Sequence, residues 1–195
     1  VKGGLVAIVA DDPGPHSSQN EQDTRLFCLS ARVPVLDPST PAEAKAMVAE
    51  AFLLSEEYEV PVVLRPTTRI CHSRQNVALA EPVALGRRAA FQKDPARWAA
   101  TPAFLPALHR QLNDKLEQIA REPRLQPHLT AGDGSLARTA LVASGIVYGH
   151  LVDLLEELGL SGRYDLFQVT MPYPLSPLFI EQLRTGYDRV LVLEE

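Results

Sequence analysis

The sequence predicts an α/β fold made of two β-α-β-α-β lobes with parallel sheets, joined by a helical linker. Three observations carry that expectation. Short apolar runs of strand length alternate with stretches of helical periodicity over residues 4–65. The same alternation returns over residues 137–195 without any repeat of the sequence itself. Between them, residues 77–136 hold six prolines and scattered charges, a composition that breaks both periods.

In the first lobe, Leu5–Ala10 is a continuous apolar run, which predicts a strand buried on both faces. A polar loop follows. Asp23–Ala31 predicts a short helix with Leu26, Phe27 and Leu29 turned inward, and Val33–Leu36 a second strand. Thr40, Pro41 and Glu43 then form a strong helix start: a capping hydroxyl, a proline at the first helical position and a capping-box acid. Met47, Ala51, Leu54 and Tyr58 recur along one face of that helix. Val60–Arg65 is the third strand. Helical crossovers between strands make them parallel.

The linker carries one good helix, expected to be capped by Thr101, started by Pro102 and ended at Glu122-Pro123. Its stripe is Leu105, Leu108, Leu112, Leu116 and Ile119. The second lobe reads Thr139–Ala143 as strand and Ile146–Leu158 as helix, with Val147, Leu151, Leu154 and Leu158 inward. Asp165–Val169 follows as strand, then a helix opened by Ser176-Pro177 and closed by Gly186, then Arg189–Leu193 as the last strand.

Composition limits the function. The chain has 195 residues, 46% of them hydrophobic, enough for a sizeable core. Net charge is −5, and no Lys/Arg block stands out, so neither nucleic acid nor an anionic membrane is the expected partner. No apolar run approaches the ~20 residues of a membrane helix, and no signal peptide is seen, so a cytoplasmic protein is expected. Cys28 and Cys71 cannot alone ligate an iron–sulfur cluster or a structural zinc. The chain begins and ends within strands, which reads as a piece of something longer.

The stretch Asp11–Arg25, DDPGPHSSQNEQDTR, is rich in acids, amides and hydroxyls, and its Pro-Gly-Pro core forbids a helix at Pro13–Pro15. Parallel strands end on one edge of their sheet. The loop after the first strand and the loop after the third, Pro66–Gln75, therefore emerge together, and that edge is where an open α/β sheet keeps its ligand. Other motifs point elsewhere more weakly. Gly132-Asp133-Gly134 is the triplet that opens a thiamine diphosphate motif, but it precedes a strand and lacks the spaced asparagine, so a plain turn is expected. His16 beside Ser17 and Ser18 has no nucleophile elbow around it. Two histidines, His16 and His72, without spaced carboxylates make no metal site. Cys71 beside His72 reads as a buried inert cysteine rather than an activated thiolate.

GGLV and VADDPGPHSSQNEQDTR, then VPVLDPST, then PVVLRPTTRICHS closely resemble the large subunit of indolepyruvate ferredoxin oxidoreductases, thiamine diphosphate-dependent 2-oxoacid:ferredoxin oxidoreductases. ALVASGIVYGHLVDLLEELGL, MPYPLSP and YDRVLVLEE fit as well, and only Val77–Leu136 diverges. The resemblance implies that residues 1–76 form part of a pyrimidine-binding-type domain and residues 137–195 a transketolase C-terminal-type domain, with 77–136 between. It implies that His16, Ser17, Ser18, Gln19, Asn20, Glu21, Gln22 and Asp23 line the mouth of a cofactor and substrate pocket, with Thr67, Thr68, Arg69 and His72 beside them. Arg69 and His72 are then the expected partners of a 2-oxoacid carboxylate.

For the parent enzyme the resemblance implies oxidative decarboxylation of aryl 2-oxoacids to an acyl-CoA, with thiamine diphosphate, magnesium and 4Fe-4S clusters as cofactors. Coenzyme A, ferredoxin and a smaller subunit are its implied partners. The cofactor-activating glutamate, the diphosphate motif and the cysteine-rich segment of the family have no match here, so the chain alone is expected to be inactive and to hold no cofactor. Two other readings stand beside this one. The first is a non-catalytic binding or assembly module, whose exposed sheet edge would favour a homodimer. The second is a piece of a transketolase- or E1-type thiamine enzyme.

Overall fold

The computed structural model describes residues 2–82, 84, 86, 88–132 and 138–195. Three parallel strands, β1 (Val6–Ile8), β2 (Val35–Leu36) and β3 (Val62–Leu64), form the first sheet in the order β1-β3-β2. Helices α1 (Arg25–Ala31) and α2 (Pro41–Tyr58) make the crossovers. Strand β3 explains the division of the core. Val62 and Leu64 pack against Met47, Ala51 and Leu54 of α2, whereas Val63 meets Cys28 of α1 and Val35. Successive side chains of a strand point to opposite faces, so one central strand serves both helices. At the start of α2, the Thr40 hydroxyl accepts the Glu43 amide at 3.1 Å, and Glu43 reaches back to the Ser39 amide and hydroxyl.

Two expectations for this lobe fail. Strand β1 lies at the edge of its sheet, with Ile8 65% exposed, so it is not buried on both faces. In α1 it is Cys28 that turns inward, while Leu26, Phe27 and Leu29 are exposed. The seven-residue helix is too short for its apolar composition to report which face is covered.

Pro66–Gln75 is not all loop: Thr68–His72 forms α3. The segment read as linker then contributes α4 (Pro95–Trp98), α5 (Leu105–Ile119), a short 3₁₀ turn at Pro123–Leu125, and a strand, β4 (His128–Ala131). Thr101 accepts backbone amides from Phe104 and Leu105, so a turn occupies the expected first helical residues and α5 begins later. Leu116, Ile119 and Leu125 are buried, the last two in the α2 core, so this segment packs against the first lobe.

The second sheet runs β4-β6-β5-β7, with β5 (Thr139–Ser144), β6 (Asp165–Val169) and β7 (Arg189–Leu193) parallel. Strand β4 joins it antiparallel to β6, an addition the short His128–Ala131 run did not announce. Helix α6 (Gly145–Glu157) covers one face through Leu151 and Leu155, and α7 (Pro177–Gly186) the other through Phe179 and Leu183. Leu154 and Leu158, expected inward, are exposed; the buried stripe runs one residue later, through Leu155. Of the Gly132-Asp133-Gly134 triplet, Asp133 and Gly134 lie outside the described residues.

Candidate functional site

The three strands of the first sheet all lead, at their C-terminal ends, into charged residues that are almost wholly buried. Asp11 follows β1, Asp37 follows β2 and Arg65 follows β3, each no more than 2% exposed. Arg65 Nε donates to Asp11 Oδ2 at 2.5 Å and Nη1 to Asp37 Oδ2 at 3.2 Å, while Nη2 stands 3.5 Å from Asp23 Oδ1. The run of apolar strand residues ending in Arg65 hides its importance in the sequence, because the residue type alone suggests a solvated end.

Around that hub the two loops are drawn together. Pairing continues past the strands: Asp11 donates to the Pro66 carbonyl, and Thr68 donates to the Asp11 carbonyl. Asp12 is the clamp. Its Oδ2 accepts the Ser17 and Ser18 amides at 2.7 and 2.6 Å, and its Oδ1 accepts the Thr68 hydroxyl at 2.7 Å. Asp12 and Gln22 also exchange backbone hydrogen bonds, closing the loop at its neck. The Thr68 hydroxyl and then the loop amides hold the Asp12 carboxyl far below the usual range, so the clamp stays ionised at any working pH. Burial works against ionisation of Asp23, but hydrogen bonds from Arg25 outweigh it and keep that carboxyl below its ordinary value.

The geometry therefore joins the expected site residues on one sheet edge, and it sorts them. His16, Ser17, Gln19, Asn20, Glu21 and Gln22 are exposed on the loop, and Ser18 and Asp23 are half-buried. Thr67 is buried, Thr68 is half-buried beneath the clamp, and Arg69 and His72 are exposed on α3. Arg69 is not free, since its Nε lies 3.3 Å from Glu195 Oε1. Cys71 is exposed rather than buried, yet desolvation pushes its thiol up, so no activated thiolate forms.

The second lobe meets this edge with its own C-terminal strand ends. Ser144, at the end of β5, donates from its hydroxyl to Asp37 Oδ2 at 3.2 Å. Gly145 follows at φ +54°, and a side chain there would collide with Asp37 Oδ1, which has no hydrogen-bond partner among the described residues. Burial pushes the Asp37 carboxyl up to about 6 despite the Arg65 charge beside it. Past β7, Glu194 lies 3.6 Å from Arg25, and the Glu195 carbonyl accepts from Arg25 at 3.2 Å. The backbone seam adds Val35 donating to Tyr173 and Asp37 donating to Thr170. Sequence reasoning put Asp11, Asp12 and Arg65 in the polar set of this edge but gave them no role, and it missed Asp37 and Ser144. The one available signal was that each stands at the end of a strand.

Among the described residues no three His, Cys, Asp or Glu side chains are grouped to hold a metal ion, and no helix is long and apolar enough to cross a membrane.

No protein-family model matches the chain. It is 37% identical over 196 residues to indolepyruvate oxidoreductase subunit IorA of Methanothermobacter thermautotrophicus, covering all of this chain and 31% of that protein. It is 38% identical over 200 residues to the subunits of the same name from Thermococcus kodakarensis and Pyrococcus abyssi, with the same coverage. The chain thus spans about a third of the length of these relatives, and the resemblance seen in the motifs holds along all 195 residues. Among solved structures, 2-oxoglutarate:ferredoxin oxidoreductase from Magnetococcus marinus, with 2-oxoglutarate, coenzyme A and succinyl-CoA bound, shares the fold. It matches 96% of this chain and 40% of its own, with a TM-score of 0.65 at 13% identity.

Proposed function

We propose that this chain is one segment of the large subunit of an indolepyruvate:ferredoxin oxidoreductase, a reading that proceeds from its full-length likeness to a third of such subunits. Residues 1–76 act as part of a pyrimidine-binding-type domain and 137–195 as a transketolase C-terminal-type domain. The whole enzyme oxidatively decarboxylates aryl pyruvates to acyl-CoA, with thiamine diphosphate, magnesium and 4Fe-4S clusters, and works with ferredoxin and a smaller subunit.

This chain supplies one wall of the substrate pocket. The observation that carries the reading is the Asp12 clamp, which fixes the His16–Gln22 loop against α3. That places His16 and the loop amides on the same edge as Arg69 and His72. Arg69 and His72 receive the substrate carboxylate, and the guanidinium offers two parallel donors for it. The loop above them limits the access of water.

The test has two arms. The purified chain, given indolepyruvate, coenzyme A and a viologen acceptor, shows no turnover; turnover would overturn the proposed role as a wall. In the complete parent enzyme, Arg69→Gln raises KM for indolepyruvate ~10-fold or more with a smaller change in kcat. An unchanged KM would remove Arg69 from the site.

A further inference from the structure

Away from the Arg69 edge, a second cavity carries charges that the fold does not use. It measures about 290 Å³ and opens between Arg32, the residue that ends α1, the helix α5 and the turn that precedes α7. Its floor is apolar, with Leu116 and Pro174 buried and Tyr173 half-buried. Its rim is charged, with Arg32, Glu117 and Arg121 exposed.

Among the described residues no protein group pairs with either guanidinium or with the Glu117 carboxylate. Glu117 and Arg121 are four residues apart, the spacing of a helical ion pair, but α5 ends between them at Ile119 and no pair closes. Asn113, one helical turn before Glu117, lines the same cavity, and its side-chain oxygen is buried with no hydrogen-bond partner. A buried acceptor left in that state is destabilising until a donor arrives. Arg32 stands at φ +56°, where glycine or asparagine fits with less strain, so the backbone gives no reason for an arginine there.

The four polar groups ask for different things. Arg32 and Arg121 ask for an anion, whereas Glu117 and the Asn113 oxygen ask for a donor, best a cationic one. The geometry points to this cavity as a binding site for a small zwitterion, of the class of an apolar α-amino acid. Its carboxylate is held by Arg32 and Arg121, its ammonium by Glu117 and the Asn113 oxygen, and its side chain by Leu116, Tyr173 and Pro174. Guanidinium groups take a carboxylate through paired charged donors, and an apolar lining with a few convergent polar groups is the usual form of a small-ligand site. A bound ligand joins three segments: the end of α1 in the first lobe, α5, and the Tyr173 turn of the second lobe. The Tyr173 carbonyl already accepts the Val35 amide at 2.8 Å, so the ligand reinforces an existing seam between the lobes.

The isotope-labelled chain is titrated by NMR with L-leucine, with isocaproate, which lacks the ammonium, and with isoamylamine, which lacks the carboxylate. L-leucine shifts the amides of Leu116, Ala120 and Tyr173 and binds ~10-fold more tightly than either of the others. Arg32→Asn combined with Arg121→Gln weakens leucine and isocaproate ~10-fold and leaves isoamylamine unchanged; asparagine also suits the left-handed backbone. Glu117→Gln does the reverse, weakening leucine and isoamylamine and sparing isocaproate. Without ligand these variants keep the parent's urea midpoint, because the side chains replaced have no protein partner; with saturating leucine the midpoint rises in the parent and not in the variants. If the three probes bind alike, or if the charge variants leave the preference for leucine intact, the site is wrong. If inorganic phosphate shifts these amides at lower concentration than leucine does, the guanidinium pair serves a phosphate and the amino-acid assignment falls. If no probe shifts them, there is no site. None of these outcomes touches Arg69 or the proposed pocket wall.

Discussion

Replacing Arg65 by methionine tests the buried hub most severely. The side chain is 2% exposed and faces Asp11 at 2.5 Å and Asp37 at 3.2 Å, both equally buried. Methionine keeps the length and removes the charge, which strands two carboxylates without a counter-ion. Breaking a buried pair from one side costs about 3–5 kcal/mol. With a urea dependence of about 2 kcal/mol per molar, the unfolding midpoint falls by roughly 2 M. The loss has a pH signature. Asp37 is pushed from 3.8 up to about 6 by burial, so the fold favours its protonated form. The stability from that preference is fully present below about pH 4 and is lost as pH rises through about 6. Removing Arg65 raises the Asp37 carboxyl further, so the deficit of Arg65→Met is smaller at about pH 5 than at about pH 8. Adding Asp37→Asn recovers part of it. Urea melts at the two pH values decide the matter: an unchanged midpoint at the higher pH, or a larger deficit at the lower, would refute the reasoning.

Gly145→Ala puts a methyl group 2.7 Å from Asp37 Oδ1 at a backbone φ of +54°, and is expected to cost ~2 kcal/mol or more in a urea melt. Leu54→Ala empties a fully buried position in the α2 core and lowers stability by ~2–5 kcal/mol in the same melt. In thiol labelling, Cys71 reacts in the folded chain and Cys28 only on unfolding. Because desolvation raises the Cys71 thiol, its rate keeps climbing with pH beyond the usual thiol range.

The fold was legible where periodicity and capping agreed. Thr40, Pro41 and Glu43 announced α2, and the cap forms as expected, although Glu43 satisfies Ser39 rather than closing a box on Thr40. Ser176-Pro177 announced α7 in the same way, and the Ser176 hydroxyl accepts the Phe179 amide. Periodicity failed where the covering surface decides burial. The apolar run at β1 and the Leu26, Phe27 and Leu29 set of α1 look like core residues, but nothing among the described residues covers them fully. Strand β4 was invisible because four residues in a proline-rich stretch carry no period, and its place comes from long-range pairing with β6. In the site, the two loops were found from parallel topology alone. The burial of Asp11, Asp12 and Arg65 and the part played by Asp37 were not legible, since burial of a charge is set by partners far away in the sequence.

The juxtaposition of the His16–Gln22 loop with α3 can be measured directly. A nitroxide attached to Cys71, the one exposed thiol, should strongly broaden the amide resonances of Gly14, Ser17 and Asn20 and leave those of Leu178 and Glu181 on α7 sharp. Sharp loop resonances beside a labelled Cys71 would mean that the two segments do not share an edge, and the proposed pocket wall would not exist.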